Sequence, residues 1–191
     1  MRKTLLLLFS LLLVGTTMAQ DMPTPEPKKG YAGMVEIGYL YGKIKRTDYG
    51  VSTNSSVASP SVQFFNGYRF HRLFTLGGTL GFDSYDNILA TPVALGIRGE
   101  MFKTRVSPTY SLDTGYGFTF ISEEESLLET KGGWMFNPSL GLRASTGNSS
   151  AFTFQVGYKS QRVTTESVSW DVRREQKIHY KRLSLRIGFI F

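Results

Sequence analysis

The chain has no cysteine and only two histidines, His71 and His179. Past its N-terminus it also has no apolar stretch of the roughly 18 residues a membrane-crossing helix needs. Without cysteine there can be no disulfide scaffold, no Cys-ligated zinc and no thiol nucleophile. Two imidazoles leave almost no material for a metal site or a histidine base, so no metal, cofactor or catalytic residue is expected. Charge is scarce as well: Asp, Glu, Lys and Arg make up 19% of the chain, and the net +7 is scattered rather than clustered, which argues against nucleic acid as a partner. What is abundant is glycine and aromatics, with 20 Gly, 14 Phe and 10 Tyr in 191 residues. That composition belongs to one ordered, β-rich domain, not to a disordered chain.

Residues 1–19 read as a signal peptide. Arg2 and Lys3 form the positive start, Leu5 to Val14 an apolar run broken only by Ser10, and Thr17-Met18-Ala19 a small-residue cleavage site. The run is too short to span a bilayer as an anchoring helix. Residues 20–30 (QDMPTPEPKKG) are proline-rich and predict an extended, solvated leader.

From residue 31 to 191, period-two alternation replaces any helical pattern. Eight strands are predicted at 31–44, 61–70, 73–83, 91–102, 107–120, 133–143, 151–162 and 179–191. In the third, Phe74, Leu76, Leu80 and Phe82 share one face, with Thr75, Gly77, Thr79, Gly81 and Asp83 on the other. Such runs are long for ordinary strands, which average about 5–6 residues, and match the roughly 9–11 residues of a tilted transmembrane strand. Connections alternate between short ones (71–72, 103–105, 145–150) and long ones (45–60, 84–90, 121–132, 163–178), as in outer-membrane barrels.

Alternation alone does not say which face is inside, so a soluble lipocalin-like barrel with an apolar interior is the competing arrangement. Three features favour a polar interior. Isolated charges sit among small residues, such as Glu36 with Gly38 and Gly42, and a narrow eight-stranded lumen has room for little more. Aromatics gather at both strand ends: Phe70, Phe74, Tyr110, Phe152, Phe189 and Phe191 at one, and Tyr41, Phe82, Phe118, Phe120, Trp134, Phe136 and Tyr158 at the other. The chain also ends on an apolar strand whose last residue is Phe191.

That last strand, YKRLSLRIGFIF, resembles the C-terminal signal of bacterial outer-membrane barrels, with Leu183, Leu185, Ile187, Phe189 and Phe191 as the alternating apolar series. Residues 31–191 resemble the small eight-stranded barrels of the OmpA/OmpX type, particularly those of Bacteroidetes. The resemblance implies an all-β, eight-stranded antiparallel up-and-down transmembrane β-barrel, placed in the outer membrane by the barrel-assembly machinery, with the lipid bilayer and lipopolysaccharide as surroundings.

In this arrangement the inward charges are Glu36, Arg69, Asp83, Arg98, Glu100, Asp113, Arg143, Lys159, Arg182 and Arg186. Buried charges persist only when paired, so a structural salt-bridged plug is expected, with Arg98 and Asp113 in diagonal reach across a hairpin. An open pore belongs to much larger barrels. Some barrels of this size are lipid A deacylases, which makes a lipid-modifying enzyme an alternative. His179, with Ser160 and Ser184 as candidate neighbours, is the one candidate base at the outer rim, but no deacylase-like motif surrounds it. The Glu123-Glu124-Glu125 run with Glu129 lacks the spacing of a calcium loop. Loops 45–60 and 163–178 carry Tyr49, Val51, Trp170 and Val172 and offer sites for a surface protein or host ligand. The expectation is a non-enzymatic envelope barrel.

Overall fold

The computed structural model describes residues 29–48, 51–85, 88–122, 127–147, 150–169 and 172–191. The segment expected to be a signal peptide and most of the expected leader, with Tyr49, Glu123 to Glu125 and Trp170, lie outside them. Nine strands run in order: β1 (Gly30–Asp48), β2 (Val51–His71), β3 (Phe74–Tyr85), β4 (Ile88–Glu100), β5 (Val106–Ser122), β6 (Leu127–Lys131), β7 (Gly133–Gly147), β8 (Ser150–Ser169) and β9 (Val172–Ile190). All pairings are antiparallel between neighbours, and β9 returns to β1 with Met34 opposite Ile190 and Tyr41 opposite Leu183. Reciprocal backbone bonds between Gly33 and Phe191, at 3.2 and 3.0 Å, complete the seam. The sheet is therefore a closed barrel with no edge along its main body.

Nine elements make eight staves, because β6 and β7 are one stave interrupted at Gly132. β6 pairs with β8 at Lys131–Thr164, and β7 resumes against the same strand at Met135–Gln161. Proline leaves two marks on the wall. The β3–β4 ladder skips from Leu80–Val93 to Asp83–Ala90 around Pro92, and the β7–β8 ladder skips from Phe136–Ser160 to Ser139–Gly157 around Pro138. A proline has no N–H to place in a ladder.

The side-chain alternation resolves as a polar interior and an apolar exterior. Leu95 and Leu140 are 67% and 65% exposed on the outer wall, whereas Thr79, Asp113 and Ser139 are buried on the inner one. At the short-turn end Tyr68, Phe70 and Phe74 form a chain of ring contacts at 5.0 and 6.0 Å, and Phe152 meets Phe189 at 5.2 Å.

Two of the expected loops are strands. Segment 45–60 belongs to the β1–β2 hairpin, which stays paired from Gly30–Arg69 to Asp48–Val51. Segment 163–178 belongs to the β8–β9 hairpin, paired up to Ser169–Val172. Segment 121–132 holds β6, and 84–90 shrinks to a short connection beyond Tyr85. Polar Ser- and Thr-rich stretches such as VSTNSSVAS lack the apolar alternation used to find strands, yet backbone pairing sustains them. β2 has 21 residues and β8 has 20. At about 3.3 Å per residue, both outrun the thickness of a bilayer's hydrocarbon core.

Candidate functional site

All ten inward charges named from sequence are buried inside the barrel, none more than 7% exposed. They fall into three tiers.

In the middle tier, Arg98 on β4 binds Asp113 on β5 at 2.8 Å, with Ser111 as its direct cross-strand partner. Glu36 on β1 lies 3.8 Å from Arg98 and 3.6 Å from Arg186 on β9, and Arg186 is 4.0 Å from Asp113. Two guanidiniums and two carboxylates thus close a ring across the lumen. Neutral groups add to it: Thr79 donates to Asp113 at 2.7 Å, and Arg186 donates to Ser139 at 2.7 Å, to Gln155 at 3.1 Å and to Gln63, while both Glu36 oxygens are held by charge alone. Removing water from four charges is affordable only with this density of partners. Gly38 makes room for Arg186, since a Cβ there would sit 2.9 Å from the arginine's Cγ.

Towards the short turns, Glu100 is shared by Arg69 at 3.6 Å and Arg143 at 3.1 Å. Towards the long hairpins, Asp83 binds Lys159 and accepts from Ser61 at 2.6 Å. Arg182 reaches over Gly42 to donate to the Val57 carbonyl at 3.2 Å, and its guanidinium stands 5.7 Å from the Tyr180 ring. Gly42 leaves room for this path, because a Cβ there would sit 2.3 Å from the Arg182 Cδ and the arginine would have to shift.

Apolar side chains cap the polar tiers at both ends, and the strand patterns had assigned none of them to the interior. Leu40, Tyr85 and Ala90 cluster below the hairpins, where Tyr85 stacks on Tyr180 at 4.8 Å. Met34, Phe65, Ala151 and Ile190 cluster near the short turns. The sequence does hold a signal for them. In Phe64-Phe65, Tyr39-Leu40-Tyr41 and Phe189-Ile190-Phe191, adjacent apolar residues cannot share one strand face, so one must point inward.

Neither histidine belongs to this network. His71 accepts from the Leu73 amide at 3.3 Å within the β2–β3 turn. His179 is on the outer wall, with its Nε2 2.6 Å from Ser160 Oγ, while Ser184 is buried on the opposite face of β9. Partial burial, then the charges of Lys181 and Arg162, lower the His179 pKa. Cations around an imidazole oppose the imidazolium that a general base must become. Among the described residues no His, Cys, Asp and Glu group could hold a metal, and Glu129 lies on β6.

The outer wall carries the C-terminal series. Leu183, Ile187, Phe189 and Phe191 are exposed and Leu185 is half-buried.

No protein-family model matches the chain, and no curated protein matches its sequence. Solved structures share its fold, among them two outer membrane proteins. One is the crystal structure of the outer membrane protein OprG from Pseudomonas aeruginosa, at 12% identity and a TM-score of 0.55, covering 90% of this chain and 99% of that one. The other is the solid-state NMR structure of the outer membrane protein AlkL in DMPC lipid bilayers, at 15% identity and a TM-score of 0.54, covering 90% and 94%.

Proposed function

We propose that the chain is a non-enzymatic integral outer-membrane barrel of the small OmpA/OmpX-like kind. Its lumen is a structural plug, and it serves the envelope through structure or through surface contacts made by its two long hairpins. One observation carries this reading: the exposed wall is apolar and aromatic while the charges are buried. A protein made for water has the opposite polarity, and an enclosed apolar cavity of lipocalin type has no place in a lumen crossed by Arg98, Asp113, Glu36 and Arg186. Export by the signal peptide at 1–19, assembly through the C-terminal series, and lipopolysaccharide around the outer belt complete the proposal. The hairpins supply the interaction surface. β1 pairs with β9 only up to Tyr41–Leu183, so beyond that point each hairpin offers backbone to a surface protein or host ligand.

The test is refolding. In detergent micelles or lipid vesicles the chain should give a heat-modifiable shift in gel mobility and no channel conductance in planar bilayers. A monodisperse protein in detergent-free buffer overturns the membrane reading, and stepwise conductance overturns the plug. Deleting residues 165–174 should leave the barrel folded and abolish adhesion. A lipid A mass profile altered by the wild type but not by His179→Ala would instead favour the enzyme, built on the Ser160–His179 contact.

A further inference from the structure

At the short-turn end the barrel interior holds a partly open cavity of about 30 Å3 between the lowest tier of charges and the Phe65 side of the apolar cap. Three guanidiniums line it, Arg69, Arg72 and Arg98, against one lining carboxylate, Glu100; Arg98 has its own carboxylates in Asp113 and Glu36, which leaves Arg69 and Arg72 as the uncompensated charge. Glu100 is already divided between Arg69 and Arg143. Arg72, in the turn between β2 and β3, has no carboxylate partner among the described residues. Three donors at the cavity are buried without a hydrogen-bond acceptor: Arg72 Nε, Arg98 Nε and the Thr109 hydroxyl. Arg98 and Thr109 are each only 6% exposed. Buried donors without acceptors are expensive, and cations in excess of anions more so.

We propose that this cavity is a binding site for a small, weakly hydrated monovalent anion of the chloride class. The charge selects an anion, and the three donors supply its coordination. The wall selects further. The Arg98 guanidinium lies 4.6 Å from the centre of the Phe65 ring, so part of the lining cannot replace lost hydration, which favours chloride or bromide over fluoride. The inference goes beyond the envelope reading and holds whatever the barrel does there, because the anion completes the charge balance of the lowest tier.

The experiment is chloride-35 NMR line broadening on the full chain refolded in non-ionic detergent. The wild type should show a saturable excess linewidth that bromide displaces. Arg72→Gln and Thr109→Val, both checked for the heat-modifiable shift, should each weaken binding about tenfold, as expected for loss of a hydrogen bond to a charge. No saturable component in the wild type, or wild-type affinity in either folded variant, overturns the site. Wild-type crystals grown in bromide give an independent readout. An anomalous peak in the cavity beside Arg72, Arg98 and Thr109 supports the proposal, and its absence from that cavity overturns it.

Discussion

Asp113 shows how much a single side chain holds in this lumen. It is fully buried, accepts from Thr79, and faces both Arg98 and Arg186. Asp113→Ala should lower unfolding stability by about 3–5 kcal/mol, because removing one partner leaves buried guanidiniums uncompensated. Urea titration of vesicle-folded protein measures it. Replacing Arg98 as well should cost less than the sum of the two single changes, since most of the penalty is the charge left behind. His179 gives the contrasting surface case. Its folded-state pKa is lowered, so the unfolded chain takes up the proton more readily. Its contribution is present above the ordinary histidine range and is lost as pH falls through the lowered value. An NMR titration should find the midpoint below 6.5 and move it upward in Lys181→Gln; an unmoved midpoint would show that the lysine charge does not reach the ring. These two residues also mark a limit of sequence reading. Alternation placed Asp113 inward, with Arg98 in diagonal reach across the hairpin, and His179 at the rim, but it could not show that Arg186 of β9 also faces Asp113, because that contact spans the barrel.

Among the strands, legibility followed amphipathicity. β3 and the lower half of β9 alternate cleanly because one face is the apolar outer wall and the other lines a charged core. The upper halves of β1, β2, β8 and β9 look like loops in the sequence, because above the apolar belt the period-two signal vanishes while the hydrogen-bonded ladder continues. β6 escaped detection for a different reason: five residues ending at Gly132 are too few to show a pattern. The interior apolar clusters were missed because strict alternation has no category for Leu40 or Ile190, although their apolar flanks required an inward member. The wall makes a prediction of its own. Leu140→Arg puts a charge on an outward position of β7 that is 65% exposed, opposite Val156 of β8. If that face meets acyl chains, the change should cost about 2–4 kcal/mol and reduce the folded yield. Folded protein at normal yield would reverse the assignment of the faces.

For the molecule as a whole, the barrel closes at Phe191, which is also a member of the proposed assembly series. The backbone of Phe191 exchanges two hydrogen bonds with Gly33, which joins the final strand to the first. Its ring is exposed on the outer wall, in line with Phe189 and Ile187, where an assembly receptor reading alternate apolar side chains would find it. The two roles separate by substitution. Phe191→Ala keeps the backbone bonds and removes the aromatic end of the series, whereas ending the chain at Ile190 removes both. If the series is an address, Phe191→Ala should refold into vesicles at close to the wild-type rate yet accumulate unfolded in the periplasm of expressing cells, with heat-modifiable barrel reduced severalfold. The truncated chain should be slow in both settings, because a barrel missing its seam bonds leaves strand edges open. Equal slowing of Phe191→Ala in vesicles and in cells would assign the residue to closure alone, and the likeness of its strand to an assembly signal would then reflect only the alternation that any lipid-facing strand must have.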